Sequence, residues 1–373
     1  MLLLQSQLQA AATAVTDTLL PPTELDILAH YYEQDGNNSA VTGGTGTEEL
    51  QDRSITVVLA APLDTAYTLR AQVGVSYYSS ASTDAINSNI SSASAEDIRT
   101  YVGAGVDVSR SERESKGVFL SGSTESDYTS TGVSGYWSYS TRDLNSSLQV
   151  SGAAFFDRWQ LFFPDELRGT PATYVPTDRR NTYTFSLVGT RVIDRRTQVA
   201  VLLDMVWQEG LLSTPFHRVY TTDTVVSLER LPSVRRRLPV ALRVHHYLSD
   251  RLRLRGYYRF YSDDFGMQAH TASLALPIDP AFAWTVTPFY RYHTQSAVRY
   301  FAPYAEHSPE AVFATSDYDL SAFYTQHYGL SVRYQPLYAM RGGLEYIALR
   351  GSGYRRSNGL RAWSVGVSMH YAW

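Results

Sequence analysis

The chain contains no cysteine among its 373 residues. That absence excludes a disulfide framework and a thiolate metal site, and it suits a protein that folds after entering an oxidising compartment. Long hydrophobic runs are missing as well: no stretch approaches the roughly 18 apolar residues that a membrane-spanning helix needs. Charge of one sign is scarce, with a formal net charge of -4 and 18% charged residues, and no basic run carries nucleic-acid patterning. Nucleic acid is therefore not an expected partner. The signatures G-x-S-x-G, the P-loop and H-E-x-x-H are all absent. The opening segment MLLLQSQLQAAATAVTDTLLPP is apolar and rich in small residues but lacks a cationic n-region. It reads either as a signal remnant from Met1 to about Leu20 or as a periplasm-facing helix, so residues 1–25 are set apart from a main domain over 26–373.

What is abundant is aromatic: 13% of the residues, with 28 tyrosines. The pattern is a dyad. Tyr67, Leu69, Ala71, Val73, Val75 and Tyr77 alternate with Thr68, Arg70, Gln72, Gly74, Ser76 and Tyr78, and period two means strand. The alternation returns with Thr100, Val102, Ala104, Val106 and Val108 against Arg99, Tyr101, Gly103, Gly105 and Asp107, and again with Val199, Val201, Leu203, Met205 and Trp207. These strands run to roughly ten to thirteen residues, against about five or six in globular sheets, the length that crosses a bilayer at a tilt.

Tight polar connections at Leu63–Ala66, Arg142–Asn145, Leu248–Asp250 and Pro277–Pro280 interleave with long segments near 35–50, 79–96, 158–180, 209–237 and 295–320. Short turns at one end and long loops at the other is the asymmetry of a bacterial outer-membrane barrel, the short ones being periplasmic. The count predicts an all-β fold: a closed antiparallel transmembrane β-barrel of about sixteen strands with both chain ends in the periplasm. The last strand, Trp363 to Trp373, keeps the dyad and ends on an aromatic residue, as the signal read by barrel-assembly machinery does. Tyr77, Tyr258, Tyr290 and Tyr334 are expected near strand ends as interfacial girdles facing outer-membrane lipid.

If the apolar face meets lipid, Arg251, Arg253, Arg255 and Arg259 share one inward face, with Arg243, His245, Arg291, His293, His327 and Arg333 on neighbouring wall. An arginine ladder focuses positive potential and favours anionic solutes. The plainer reading has these arginines pairing with Asp107, Asp204 or Glu345 to hold the barrel together. Histidines 245, 246, 270, 293 and 327 have no spacing that fixes a metal, and none is expected. At the rim, Asp35, Asp263, Asp264, Asp317 and Asp319 offer oxygen ligands for Ca²⁺, though without EF-hand spacing, and solvated turns explain them as well. An omptin-like protease would need D-x-D facing D-x-H; Asp317 and Asp319 supply the first and nothing supplies the second. A phospholipase-like barrel would need a lipid-facing histidine and serine two residues apart, and His270 is followed at that spacing by Ala272.

Several phrases resemble an uncharacterised bacterial outer-membrane β-barrel family known as a domain of unknown function: YYEQDGNNSAVTGGTGTEEL from Tyr31, YYSSASTDAI from Tyr77, SSASAED from Ser91, GLLSTPFHRVY from Gly210, YYRFYSDDFGMQAHTASLALP from Tyr257, PFYRYHTQSAVRYFAPY from Pro288 and TSDYDL from Thr315. The resemblance implies genes lying beside a small lipoprotein, a flavin transferase and a thioredoxin-like protein, hence a lipoprotein partner in an extracytoplasmic redox assembly. Most of the phrases fall in expected loops and strand ends of one rim, where such Gly- and Asx-rich segments pack into an ordered cap. The sequence therefore points to a conduit for a small anionic solute or a scaffold for a partner protein, with a plugged accessory barrel as the alternative and an outer-membrane hydrolase behind both.

Overall fold

Alternating lipid-facing and lumen-facing side chains let a strand satisfy its backbone only by pairing on both edges, and in a membrane the sheet must close. The computed structural model describes residues 20–79, 96–167, 176–336 and 343–373 and has this closed form. In chain order the strands are β1 (Glu24–Asp35), β2 (Leu50–Pro62), β3 (Tyr67–Ser79), β4 (Glu96–Ser111), β5 (Glu114–Thr124), β6 (Tyr128–Ser140), β7 (Ser146–Gln160), β8 (Thr177–Val192) and β9 (Thr197–Gly210). A small loop hairpin follows, β10 (Arg218–Tyr220) with β11 (Val226–Leu228). The wall resumes with β12 (Val234–Ser249), β13 (Leu252–Asp263), β14 (Gln268–Ala275), β15 (Ile278–Ala281), β16 (Trp284–Gln295), β17 (Phe323–Tyr334), β18 (Leu344–Arg356) and β19 (Arg361–Ala372). Neighbours pair antiparallel throughout, and β1 pairs with both β2 and β19, which closes the ring. Because β14 and β15 are two halves of one stave, the barrel has sixteen staves, as the turn count predicts. The seam is locked at its end by Thr23 and Trp373, which exchange backbone hydrogen bonds of 2.8 and 3.1 Å.

The expected tight turn at Pro277–Pro280 is corrected. Residues 278–281 form β15, and the chain reverses only after Ala281. Prolines 277 and 280 have no N–H to give, so they interrupt the ladder without ending the stave; Arg253 N–H still reaches the Pro277 carbonyl at 3.0 Å and Asp279 N–H the Arg251 carbonyl at 2.9 Å. Likewise Leu248 and Ser249 still belong to β12, which hands over to β13 through Asp250 and Arg251. Residues 1–19 and 80–95 lie outside the described residues, and with them most of the segment read as a signal remnant or helix and most of the phrases beginning at Tyr77 and Ser91.

The outer surface is apolar in the way the dyad requires. Val102, Val118, Leu120, Val201 and Met205 are each more than half exposed, while the alternate residues point inward. Aromatic pairs sit at both ends of the staves: Trp137–Tyr139 and Trp284–Tyr334 at the short-turn end, Tyr31–Trp363 and Tyr292–Tyr324 at the other. Tyr334 is a strand terminus as expected, but Tyr258 and Tyr290 lie midway along β13 and β16, facing outward. Among the described residues no packed apolar core fills the barrel. Apart from Leu344 at the start of β18, the buried apolar residues of the wall strands, Ala200, Ala241, Ala269 and Ala362, are all alanine, whereas Val41, Val219, Phe265, Met267, Val298 and Ala314 belong to loops at the outer mouth.

Candidate functional site

The inner wall from β12 to β18 is basic. Cross-strand pairing sets Arg243, Tyr257, Ser273, Arg291, His327 and Tyr354 opposite one another in successive staves. Arg255 pairs with His245 one row closer to the short turns, and Arg259 lies one row closer to the outer mouth, opposite Thr271. Arg333 lies further toward the short-turn end with its guanidinium 5.2 Å from the Tyr346 ring centre, and Arg350 sits 4.4 Å from that of Phe289. Stacking on a ring fixes a guanidinium without neutralising it. Among the described residues none of Arg243, Arg255, Arg259, Arg291, Arg333 and Arg350 forms an ion pair, and Nε of Arg259 is buried without a hydrogen-bond partner.

Two expected wall residues behave differently. Arg253 is inward but bonded to Asp279 at 2.6 Å. Arg251 falls in the turn before β13, exposed at the short-turn end rather than on the wall. The carboxylates expected to neutralise the wall are elsewhere: Asp107 pairs with Arg70 across β3 and β4, Glu345 reaches His370 at 3.7 Å, and Asp204 lies on β9. Arg350 was not legible in the sequence, because LEYIALRGSGYRR has glycines where the dyad needs side chains. Its partner Ser331 on β17 is what identifies its face.

Above this wall the outer loops form one ordered cap. The 211–233 loop leaves between β9 and β12, halfway round the barrel from the 36–49 loop between β1 and β2, yet the two meet over the mouth. Arg218 Nη1 donates to the Val41 carbonyl at 2.6 Å, and its Nη2 donates to Glu166, from a third loop, at 3.2 Å. Gly43 takes a left-handed φ of +80°, and a Cβ there would lie 2.6 Å from the Tyr220 ring, so only glycine lets the loops touch. The 296–322 loop adds backbone bridges from His307 to Thr221 and from Ala314 to Arg230. Beneath them, Phe265, Met267 and Val298 pack with Leu212, Leu231, Tyr300, Phe301 and Leu320.

The five rim aspartates separate on this frame. Asp263 accepts from Arg235 Nε at 2.9 Å and from Tyr261 at 2.7 Å, anchoring the cap to the wall. Asp264 caps the Arg236 N–H at 3.0 Å, Asp319 pairs with Arg356, and Asp35 is exposed at the end of β1. Asp317 alone meets other metal-type donors, His217 and Glu229, two residues that sequence reading passed over because nothing in their spacing to each other or to Asp317 forms a motif. Burial, reinforced by Asp319, raises the Asp317 carboxyl to about 6. Burial opposes charge on Glu229, yet His217, the Thr214 N–H and the Thr315 hydroxyl hold it below the usual carboxylate range. Burial likewise raises Glu48 to about 7, outweighing Arg356 at 3.8 Å.

Among solved structures, one superposes at a TM-score of 0.50 and shares the fold. The siderophore receptor PirA from Acinetobacter baumannii superposes with a TM-score of 0.50 at 10% identity over 91% of this chain and 54% of its own. PirA from Pseudomonas aeruginosa gives 0.45 at 10% identity over 94% and 62%. A BenF-like porin from Pseudomonas fluorescens Pf-5 gives 0.45 at 8% identity over 94% and 99%. The chain thus spans about half to three-fifths of the two receptors' length, and identities this low speak to architecture alone. No protein of curated function matches the sequence. The protein has the closed β-barrel fold seen in outer-membrane proteins, and with residues 39–362 matching the model of the protein family of unknown function DUF3570, it belongs to that family.

Proposed function

We propose that the barrel is a conduit for small anions, entered from outside through a narrowed mouth and lined on one side by Arg243, Arg255, Arg259, Arg291, Arg333 and Arg350. The observation that carries this reading is the absence of a carboxylate partner for any of the six among the described residues. An unpaired guanidinium in a dry interior costs several kcal/mol. Six on one wall require water and counter-ions beside them, and such a wall draws anions in while repelling cations. Sixteen staves leave room for that water. The arginine pair nearest the short turns, Arg253 with Asp279, is neutralised and serves the wall's structure.

The test is efflux from proteoliposomes carrying the refolded chain. Chloride, phosphate and small carboxylates should leave several-fold faster than potassium or glucose, and replacing Arg255 and Arg291 by glutamine should remove that preference.

A second reading draws support from the cap. Loops tied across the mouth by Arg218 and Val41 suit an accessory barrel closed at its outer end, holding a lipoprotein partner of a redox assembly from the periplasmic side. That barrel would be silent in efflux and would co-purify with its partner. A hydrolase has less to recommend it, since Asp319 is engaged by Arg356 and outward-facing His270 has Ala272, not a serine, two residues on.

A further inference from the structure

His217, Glu229 and Asp317 come from two different loops of the cap and bring one imidazole nitrogen and two carboxylate oxygens within 4.8 Å of one another. Glu229 is the centre of the group. Its side chain is 2% exposed, and among the described residues its one ion-pair partner is His217, whose Nδ1 lies 3.6 Å away. That separation is too long for a hydrogen bond, and Nδ1 is buried with no hydrogen-bond partner at all. A buried imidazole nitrogen left unsatisfied beside a buried carboxylate is a costly arrangement.

The surroundings of Glu229 are those of an oriented ligand. The Thr214 N–H donates to one oxygen at 2.6 Å, and the Thr315 hydroxyl donates to the other. Thr315 is fully buried and in turn accepts the Asp317 N–H at 3.0 Å, so one threonine positions both carboxylate-bearing residues. The Asp319 N–H donates to Asp317 Oδ1 at 2.8 Å, which fixes the third side chain from behind. Outer hydrogen bonds of this kind hold metal ligands in their working direction.

We propose that the cap binds one divalent transition-metal ion through a ring nitrogen of His217 and one carboxylate oxygen each of Glu229 and Asp317. One imidazole with two carboxylates suits Zn²⁺, Mn²⁺ or Fe²⁺; Ca²⁺ and Mg²⁺ take oxygen ligands, and no thiolate is present for a softer ion. Two ligands of a tetrahedral zinc lie about 3.4 Å apart at bond lengths of about 2.0–2.1 Å, so the donors, spread within 4.8 Å, draw in by about 1 Å as the ion enters. Three protein ligands leave a fourth position for water. Since His217 and Glu229 belong to the 211–233 loop and Asp317 to the 296–322 loop, the ion clasps two loops that meet over the mouth. The inference is independent of what the lumen carries.

The experiment uses the full chain refolded in detergent, its folding checked by heat-modifiable gel mobility, stripped with chelator and titrated with Zn²⁺ alone, then Mn²⁺ alone and Ca²⁺ alone. Calorimetry should register about one equivalent of Zn²⁺, binding at least 100-fold weaker in His217→Gln and in Asp317→Asn, unchanged in His307→Gln, and not displaced by millimolar Ca²⁺. Zinc should also slow proteolysis of both loops together. Zinc X-ray absorption of the wild-type protein, which needs no variant to fold, should show one imidazole among oxygen neighbours. A wild-type protein that retains no zinc, that binds it equally well without His217 and Asp317, or whose zinc has no imidazole neighbour would overturn the proposal.

Discussion

Arg218 donates from Nη1 to the carbonyl of Val41 at 2.6 Å, and this one contact joins loops that rise from opposite sides of the barrel. The guanidinium is nearly buried, at 8% side-chain exposure, so its loss strips a charged donor from two loops at once. Arg218→Ala is expected to cost the cap about 1–3 kcal/mol locally and to leave the barrel intact. Limited proteolysis should cut the 211–233 segment about ten- to a hundredfold faster while heat-modifiable mobility stays unchanged. Gly43→Ala should act in the same direction through its clash with Tyr220.

The lipid face makes a second, separate prediction. Leu120 points outward near the middle of β5 with 61% exposure, whereas Ser134, on the paired strand β6, points inward. Leu120→Arg should lower unfolding stability by about 2–4 kcal/mol in phospholipid vesicles, and Ser134→Arg by much less. Equal costs would mean that the apolar dyad does not face lipid.

How far the chain was readable follows from where its information lies. The staves around Val73, Val102 and Val201 were plain because a polar lumen on one face and lipid on the other forces strict alternation. The stave broken at Pro277 was misread as a turn, since proline signals reversal locally while the pairing to Arg253 and Arg251 that carries the strand through is non-local. Arg255, Arg259 and Arg291 were found by parity along a clean dyad, and Arg350 was lost in a glycine-rich one. His217, Glu229 and Asp317 meet only because the cap folds, and no local pattern encodes that meeting.

Glu48 gives the cap a pH dependence with a definite sign. Its carboxyl is raised from 4.5 to about 7 because burial outweighs the attraction of Arg356, with Asp319 and Asp317 adding to the rise. Between those values the folded cap binds a proton that the unlocked loop does not, so the Glu48 contribution to cap stability is fully present below about pH 4.5 and is lost as pH rises through 7. Hydrogen exchange in the 36–49 segment, corrected for its intrinsic pH dependence, should show protection falling from pH 5 to pH 8. Glu48→Gln should flatten that trend.

The central claim is that unpaired arginines make the lumen a path for anions, and planar-bilayer recording of the refolded protein under a salt gradient tests it most directly. The account predicts steady conductance with a reversal potential on the anion-selective side, moving toward zero when Arg255, Arg291 and Arg350 are together replaced by glutamine. A folded barrel that stays silent, or one that prefers cations with all three arginines in place, would contradict it.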